Sequence, residues 1–260
     1  MSLAPSVRRI IRALQTRYER VLMALNTQYA SRGGAAASAM PEARAGFIRR
    51  TYAHLAFAVL GFLVLEYVLL NLPGIGRIAA LMTSGFNWLI VIGLFTVVGW
   101  VADRWARSDT SRGLQYAGLA LYVVVEAIIF LPLMVFVVLI SNDPVVLPAA
   151  GLITGLLFLG LTVVALTTRA DFSFLRGVLV IGGFVALGLI VASLIFGFQL
   201  GVIFAVAMVG LAAVAILYST SNILHYYRTD QYVAASLSLF AAVALMFYYV
   251  LYILMTLRRQ

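Results

Sequence analysis

The chain has no cysteine and no lysine, and only nine carboxylates and two histidines among 260 residues. Without cysteine there is no disulfide framework, thiol nucleophile or thiolate metal site, and cysteine usage says nothing about redox compartment. All 18 cations are arginine, which records a GC-rich bacterial coding preference and carries no functional weight. HExxH, GxSxG and the phosphate-cradling GxxxxGK[ST] do not occur, and His54 and His225 stand alone, each reading as a snorkelling interface residue. Metal hydrolysis and serine chemistry are thereby excluded. So is an intramembrane pair of catalytic aspartates, because Asp103, Asp109, Asp143, Asp171 and Asp230 fall in loops or at the ends of apolar runs. The expectation is a non-enzyme with no cofactor and no metal site.

What remains is apolar: 64% of residues are hydrophobic, 10% are charged, and the mean hydropathy is +1.06. A water-soluble fold could not bury that surface. A bilayer core needs roughly 20 apolar residues per helix, because in lipid each backbone amide must be satisfied within its own segment. Seven stretches qualify, 52–72, 86–102, 114–140, 145–167, 175–197, 200–224 and 232–256. The runs are continuous rather than alternating, which excludes a β-barrel. The fold class expected is therefore an all-α bundle of seven transmembrane helices. No internal repeat is evident, which argues against a repeat-built transporter.

Arginine distribution predicts sidedness. With the N-terminus in the cytoplasm, fifteen of the eighteen arginines lie on that side and only Arg77, Arg258 and Arg259 lie outside. A bacterial inner membrane is the expected location. Arg258 and Arg259 run against the rule, leaving open whether the last segment crosses fully.

Residues 1–45 read as a cytoplasmic tail, and 46–260 as the membrane domain. In SVRRIIRALQTRYERVLMAL the apolar residues recur at helical spacing, with Arg8, Arg9, Arg12 and Arg20 largely opposite. This basic amphipathic helix lies on the anionic inner leaflet, so that the lipid bilayer is its partner, or docks another protein, or packs on its own bundle. SRGGAAASAMPEA reads as a flexible linker. Nucleic acid is a poor partner for arginines on a membrane-tethered helix. Within the spans, Gly151 and Gly155 of GLITG, with Gly182, Gly183 and Gly188, read as close helix packing.

Intramembrane charge is scarcer. Glu66, near the outer end of the first span, reads as an interface anchor. Glu126, in LYVVVEAIIFLPLM, falls mid-span, where a carboxylate costs about 2.5–3.5 kcal/mol on insertion scales. Pro132 cannot donate to the Ile128 carbonyl, which predicts a kink beyond Glu126 and an unpaired acceptor that a protonated carboxyl suits. A structural and a functional role for Glu126 both stand. A second polar knot closes the sixth span in ILYSTSNILH, with Ser219, Thr220, Ser221, Asn222 and His225.

GFIRRTYAHLA, LTTRADFSFLRG, ILYSTSNILH and SLSLFAAVALMFYYVLYIL, in this order and spacing over residues 46–256, resemble the bacterial branch of the Bax inhibitor-1 family. The resemblance implies a seven-helix fold around a central last helix, a pH-sensitive cation leak chiefly of calcium, and a stress-protective role. It also implies a pair of pH-sensing aspartates, which would fall at Ser219 and Ala242. Both acids are absent here. Two readings follow. One is a leak lined by Ser219, Thr220, Ser221 and Asn222, with Glu126 and His225 as titratable candidates and cations as the partner. The other is a non-conducting regulator of another membrane protein, such as an ATP-dependent membrane protease.

Overall fold

The computed structural model describes residues 39–258 apart from 110, 142 and 169, so the tail with Arg8, Arg9, Arg12 and Arg20 lies outside the described residues. The chain forms α1 (Pro41–Leu70), α2 (Ile75–Thr83), α3 (Asn87–Ala106), α4 (Arg112–Met134) continued by a π-helical segment (Val135–Ser141), α5 (Val146–Thr168), α6 (Leu175–Phe196), α7 (Gly201–His225) and α8 (Tyr232–Leu257). No strand occurs among the described residues. Seven of these helices are long and apolar enough to cross a membrane, with α4 and its π-helical continuation forming one.

The first span starts well before residue 52. Pro41 sits at the first helical position, where its fixed φ and missing N–H cost nothing, and α1 runs 30 residues, about 45 Å. Its packing stripe, Phe47, Thr51, Leu55, Ala58, Phe62 and Glu66, repeats every three or four residues. Between α1 and α3 lies a short helix that the apolar pattern does not announce. α2 begins after Gly74 at φ 80°, a left-handed turn that suits glycine, and buries Ile75 and Ala79 against Leu131 and Val135.

The last helix is central. α8 packs against α1, α3, α4, α5 and α7, and Val233, Leu239, Met246 and Leu251 on it are fully buried. Its 26 residues rise about 39 Å, and Arg258 just beyond it reaches Asp143 in the α4–α5 turn at 2.7 Å. The final segment therefore runs the full length of the bundle, and an acid at the far end meets its terminal charge.

Apolar burial does not drive helices together in lipid, where the tails are as apolar as leucine, so shape must. Aromatic rings provide it at mid-height. Phe130 meets Phe62 edge-on at 5.0 Å, Tyr248 edge-on at 5.1 Å and Phe247 stacked at 5.8 Å, tying α4 to α1 and α8. Such pairs contribute about 0.5–1.5 kcal/mol each, so Phe130→Ala would loosen three contacts at once. α6 is peripheral. It packs chiefly on α7 and turns Val178, Ile181, Phe184 and Val185 outward, as a lipid-facing helix does.

The glycines pack differently from the sequence reading. A Cβ added at Gly151, Gly155, Gly183 or Gly188 would meet nothing within 4 Å, so these positions are not close helix contacts. Gly182 does face Leu211, and the tightest approach is at Gly118, where α4 meets the end of α3. Spacing of small residues marks where a close approach is possible, and the partner helix decides where it happens.

Candidate functional site

The polar run on α7 does not form one lining. Consecutive residues point about 100° apart around a helix, and the four neighbours diverge into three environments. Ser219 faces α8, its hydroxyl 3.5 Å from the Ser238 carbonyl, and shares a solvent-open cleft with Asn222 one turn on. Thr220 is fully buried on the side of α1 and α5. Its hydroxyl, with those of Tyr52 and Thr162, faces a common interior point, yet none of the three closes a hydrogen bond of ordinary geometry. Most span hydroxyls behave otherwise: Thr51, Ser141, Ser236 and Thr256 donate back to carbonyls three or four residues earlier.

Ser221 is an anchor. It accepts from the Phe172 amide at 2.9 Å and donates towards the Ala170 carbonyl at 3.4 Å, fixing the α5–α6 loop to the end of α7. His225, one turn later, places Nδ1 3.0 Å from the Ser221 carbonyl. The same loop is held again by Asp171, which accepts from the Tyr226 hydroxyl at 2.6 Å and the Ser173 amide at 2.9 Å. The Tyr226 hydroxyl first, and then the Ser173 amide, hold the Asp171 carboxyl below its ordinary value.

The cleft lies at the end of the bundle where α7 stops and α8 begins, the end that also carries Arg44, Arg49, Arg50, Arg104, Arg107, Arg112, Arg176 and Arg228. Its volume is about 490 Å³. Beside Ser219 and Asn222 its walls include Tyr218, Tyr226 and Tyr227, then Gln231 just before α8 and Ser238 within it. Arg107 after α3 and Ser173 and Arg176 before and in α6 complete it. Arg107 gives its Nε to both oxygens of Asp103 at 2.9 Å and lies 5.6 Å from the centre of the Tyr227 ring. The sequence reading names neither Arg107 nor Arg176 as a site residue. Their only signal was position at span ends, shared with several other arginines.

Glu126 and Glu66 are the buried carboxyls among the described residues of the spans. Glu126 is 5% exposed on the α4 face turned to the core, and its Oε2 is buried without a hydrogen-bond partner. Tyr122 lies one turn before it and Phe130 one turn after, so aromatic rings flank the group along the helix. Glu66 corrects the sequence reading. It is 4% exposed with both carboxyl oxygens buried and unpartnered, rather than an anchor reaching the interface. The reason is register: residue 66 falls one turn beyond Phe62 on the same packing stripe. Ala242 is buried on α8 one turn beyond Ser238, the residue Ser219 touches, so positions 219 and 242 belong to the same α7–α8 seam.

His54 is not isolated. Its Nδ1 lies 2.7 Å from the Arg50 carbonyl and its Nε2 3.2 Å from the Tyr116 hydroxyl, while its ring packs on Tyr116 and Tyr232. This knits α1, α4 and α8 at the arginine-rich end. Among the described residues no group of three or more His, Asp or Glu side chains could hold a metal ion.

Comparison with known proteins agrees with the fold. Residues 44–259 match the sequence profile of the family described as inhibitor of apoptosis-promoting Bax1. An uncharacterised protein of Pseudomonas aeruginosa is 31% identical over 213 residues, covering 79% of this chain and 88% of the relative. An uncharacterised membrane protein of Vibrio cholerae serotype O1 is 33% identical over 113 residues, covering 42% of this chain and 49% of the relative.

Proposed function

Because the chain belongs to the Bax inhibitor-1 family of membrane proteins, we propose that it is a proton-sensitive cation leak in its closed form, with Glu126 as the titrating group. One observation carries this reading: the Glu126 carboxyl is buried at mid-span with Oε2 unpartnered. A carboxyl with a purely structural role recovers part of its insertion cost through hydrogen bonds, and Oε2 makes none. Such a group suits a role in which its protonation changes with the state of the bundle. Pro132 and the π-helical turn that follows supply a place where α4 can rewind. Phe62 packs edge-on against both Phe130, one turn beyond Glu126, and Phe240, and this aromatic cluster serves as the constriction.

On the open side, Ser219 and Asn222 offer neutral oxygens. Calcium, a hard cation that takes about 6–8 oxygens with carboxylates usually among them, is poorly matched by a hydroxyl and an amide with no carboxylate beside them, so monovalent cations are the better substrates. An inner-membrane location, a cytoplasmic N-terminus and a stress-protective role belong to the same proposal.

The test is flux in liposomes containing the purified protein. Wild type should pass sodium or potassium with a pH dependence, and Glu126→Gln should fold, insert and lose that dependence. Ser219→Asp with Ala242→Asp should add a second pH response, since both positions lie on the α7–α8 seam. No flux above empty liposomes between about pH 5 and pH 8, where a buried carboxyl or histidine switches, refutes the leak.

One observation favours the second reading, a non-conducting regulator of another membrane protein. The cleft is lined by two arginines and no carboxylate, an unfavourable mouth for a cation. Crosslinking in native membranes then identifies the partner.

A further inference from the structure

The leak reading leaves the charge of the cleft unused. Of the side chains lining it, Arg107 and Arg176 are cationic and none is acidic. Asp103 answers Arg107 from outside the cleft. Arg176 has no ion pair among the described residues, and Asp171, the acid nearest to it in sequence, is engaged by Tyr226 and Ser173. Around the guanidinium groups the wall carries neutral donors: the Asn222 and Gln231 amides and the Ser173 hydroxyl. Arginine matches a tetrahedral oxyanion because its planar fork donates two parallel hydrogen bonds and keeps its charge at any working pH.

Size and depth agree with this chemistry. A volume of about 490 Å³ exceeds the share of one water, about 30 Å³, more than tenfold, leaving room for a phosphate group and part of what it is attached to. Ser219 lies six residues before the end of α7 and Ser238 six residues after the start of α8. The cleft therefore reaches about 9 Å into the bundle, a headgroup depth. It is open rather than enclosed, so a ligand can enter from outside the bundle.

We propose that this cleft is a binding site for a phosphate-class anion, held by Arg107 and Arg176 and oriented by Asn222, Gln231 and Ser173. The site goes beyond the leak reading and stands whether or not the bundle conducts. The anion is either free phosphate or the phosphate of a lipid headgroup.

The experiment uses the full chain in two settings. In detergent, inorganic phosphate is titrated against chloride at equal ionic strength while thermal unfolding is followed. In nanodiscs, retention of phosphatidic acid over phosphatidylcholine is measured by native mass spectrometry. Phosphate-specific stabilisation in detergent assigns the soluble source, and selective retention of phosphatidic acid alone assigns the lipid.

In either case Arg176→Gln and Arg107→Gln should each weaken binding about tenfold or more, as loss of a charge-assisted hydrogen bond does. Arg176→Lys should keep part of the affinity, and Arg258→Gln, at the other end of the bundle, should keep all of it. The proposal is overturned if neither probe is selected over its control by wild type, which requires no variant to fold. It is equally overturned if Arg258→Gln weakens binding as much as Arg176→Gln, because the effect is then diffuse charge.

Discussion

Gly118→Ala puts the packing of α3 on α4 to a direct test. A Cβ at this position would lie 2.5 Å from the Ala102 carbonyl oxygen, 2.6 Å from the Ala106 nitrogen and 3.0 Å from the Trp105 Cβ. Carbon–oxygen contacts settle at about 3.3–3.6 Å, so the helices must separate by close to 1 Å. Two of the three obstacles are backbone atoms, which no rotamer change can move aside. Overpacking of this kind costs about 1–3 kcal/mol. It is opposed by the helix propensity gained on replacing glycine by alanine, at most about 1 kcal/mol. Strain wins, and the variant should be less stable.

Gly183→Ala supplies the contrast, because its Cβ would meet nothing within 4 Å and only the propensity gain remains. Unfolding in detergent by increasing denaturant, followed through tryptophan emission, reads both; Trp105 itself sits on the contact. The reasoning is refuted if Gly118→Ala unfolds at or above the wild-type midpoint, or if Gly183→Ala loses as much as Gly118→Ala.

Three further outcomes are expected. The Asp171 carboxyl, held below its ordinary value by the Tyr226 hydroxyl and the Ser173 amide, stabilises the fold above the unfolded aspartate value of about 3.9, and that contribution is lost as pH falls through the lower folded value. Tyr226→Phe should therefore move acid unfolding to higher pH, and superimposable acid-unfolding curves would count against the anchor. A reporter fused after Arg228 should read cytoplasmic and one after Gln260 periplasmic, whereas the same compartment for both contradicts a full crossing by α8. A peptide of residues 5–30 should bind acidic vesicles and release as salt rises; equal binding to neutral vesicles contradicts the membrane-surface reading of Arg8, Arg9, Arg12 and Arg20.

The seven spans were legible from the sequence because the requirement behind them is local. Lipid forces each segment to satisfy its own backbone, so a run of apolar residues is already a helix, and only ends such as the start of α1 shift with context. Glu126 was legible for the same reason, since a mid-span carboxyl is conspicuous wherever it points. Pro132 predicted a kink of α4 beyond Glu126; the structure shows a π-helical segment, Val135–Ser141, beginning three residues after it.

What could not be read was which face meets which neighbour. Glu66 is buried because α1 carries its packing stripe one turn past Phe62, and no property of the sequence near residue 66 states that. Ser219, Thr220 and Ser221 are adjacent in the chain yet face a cleft, a buried hydroxyl group and a loop, because α8, α1 and the α5–α6 turn surround α7. Arg107, just after α3, and Arg176, in the first turn of α6, come to line one cleft only through the tertiary fold. Helix formation is settled within each segment, whereas the cleft and the partners of each polar group depend on packing between segments, which tertiary structure alone decided.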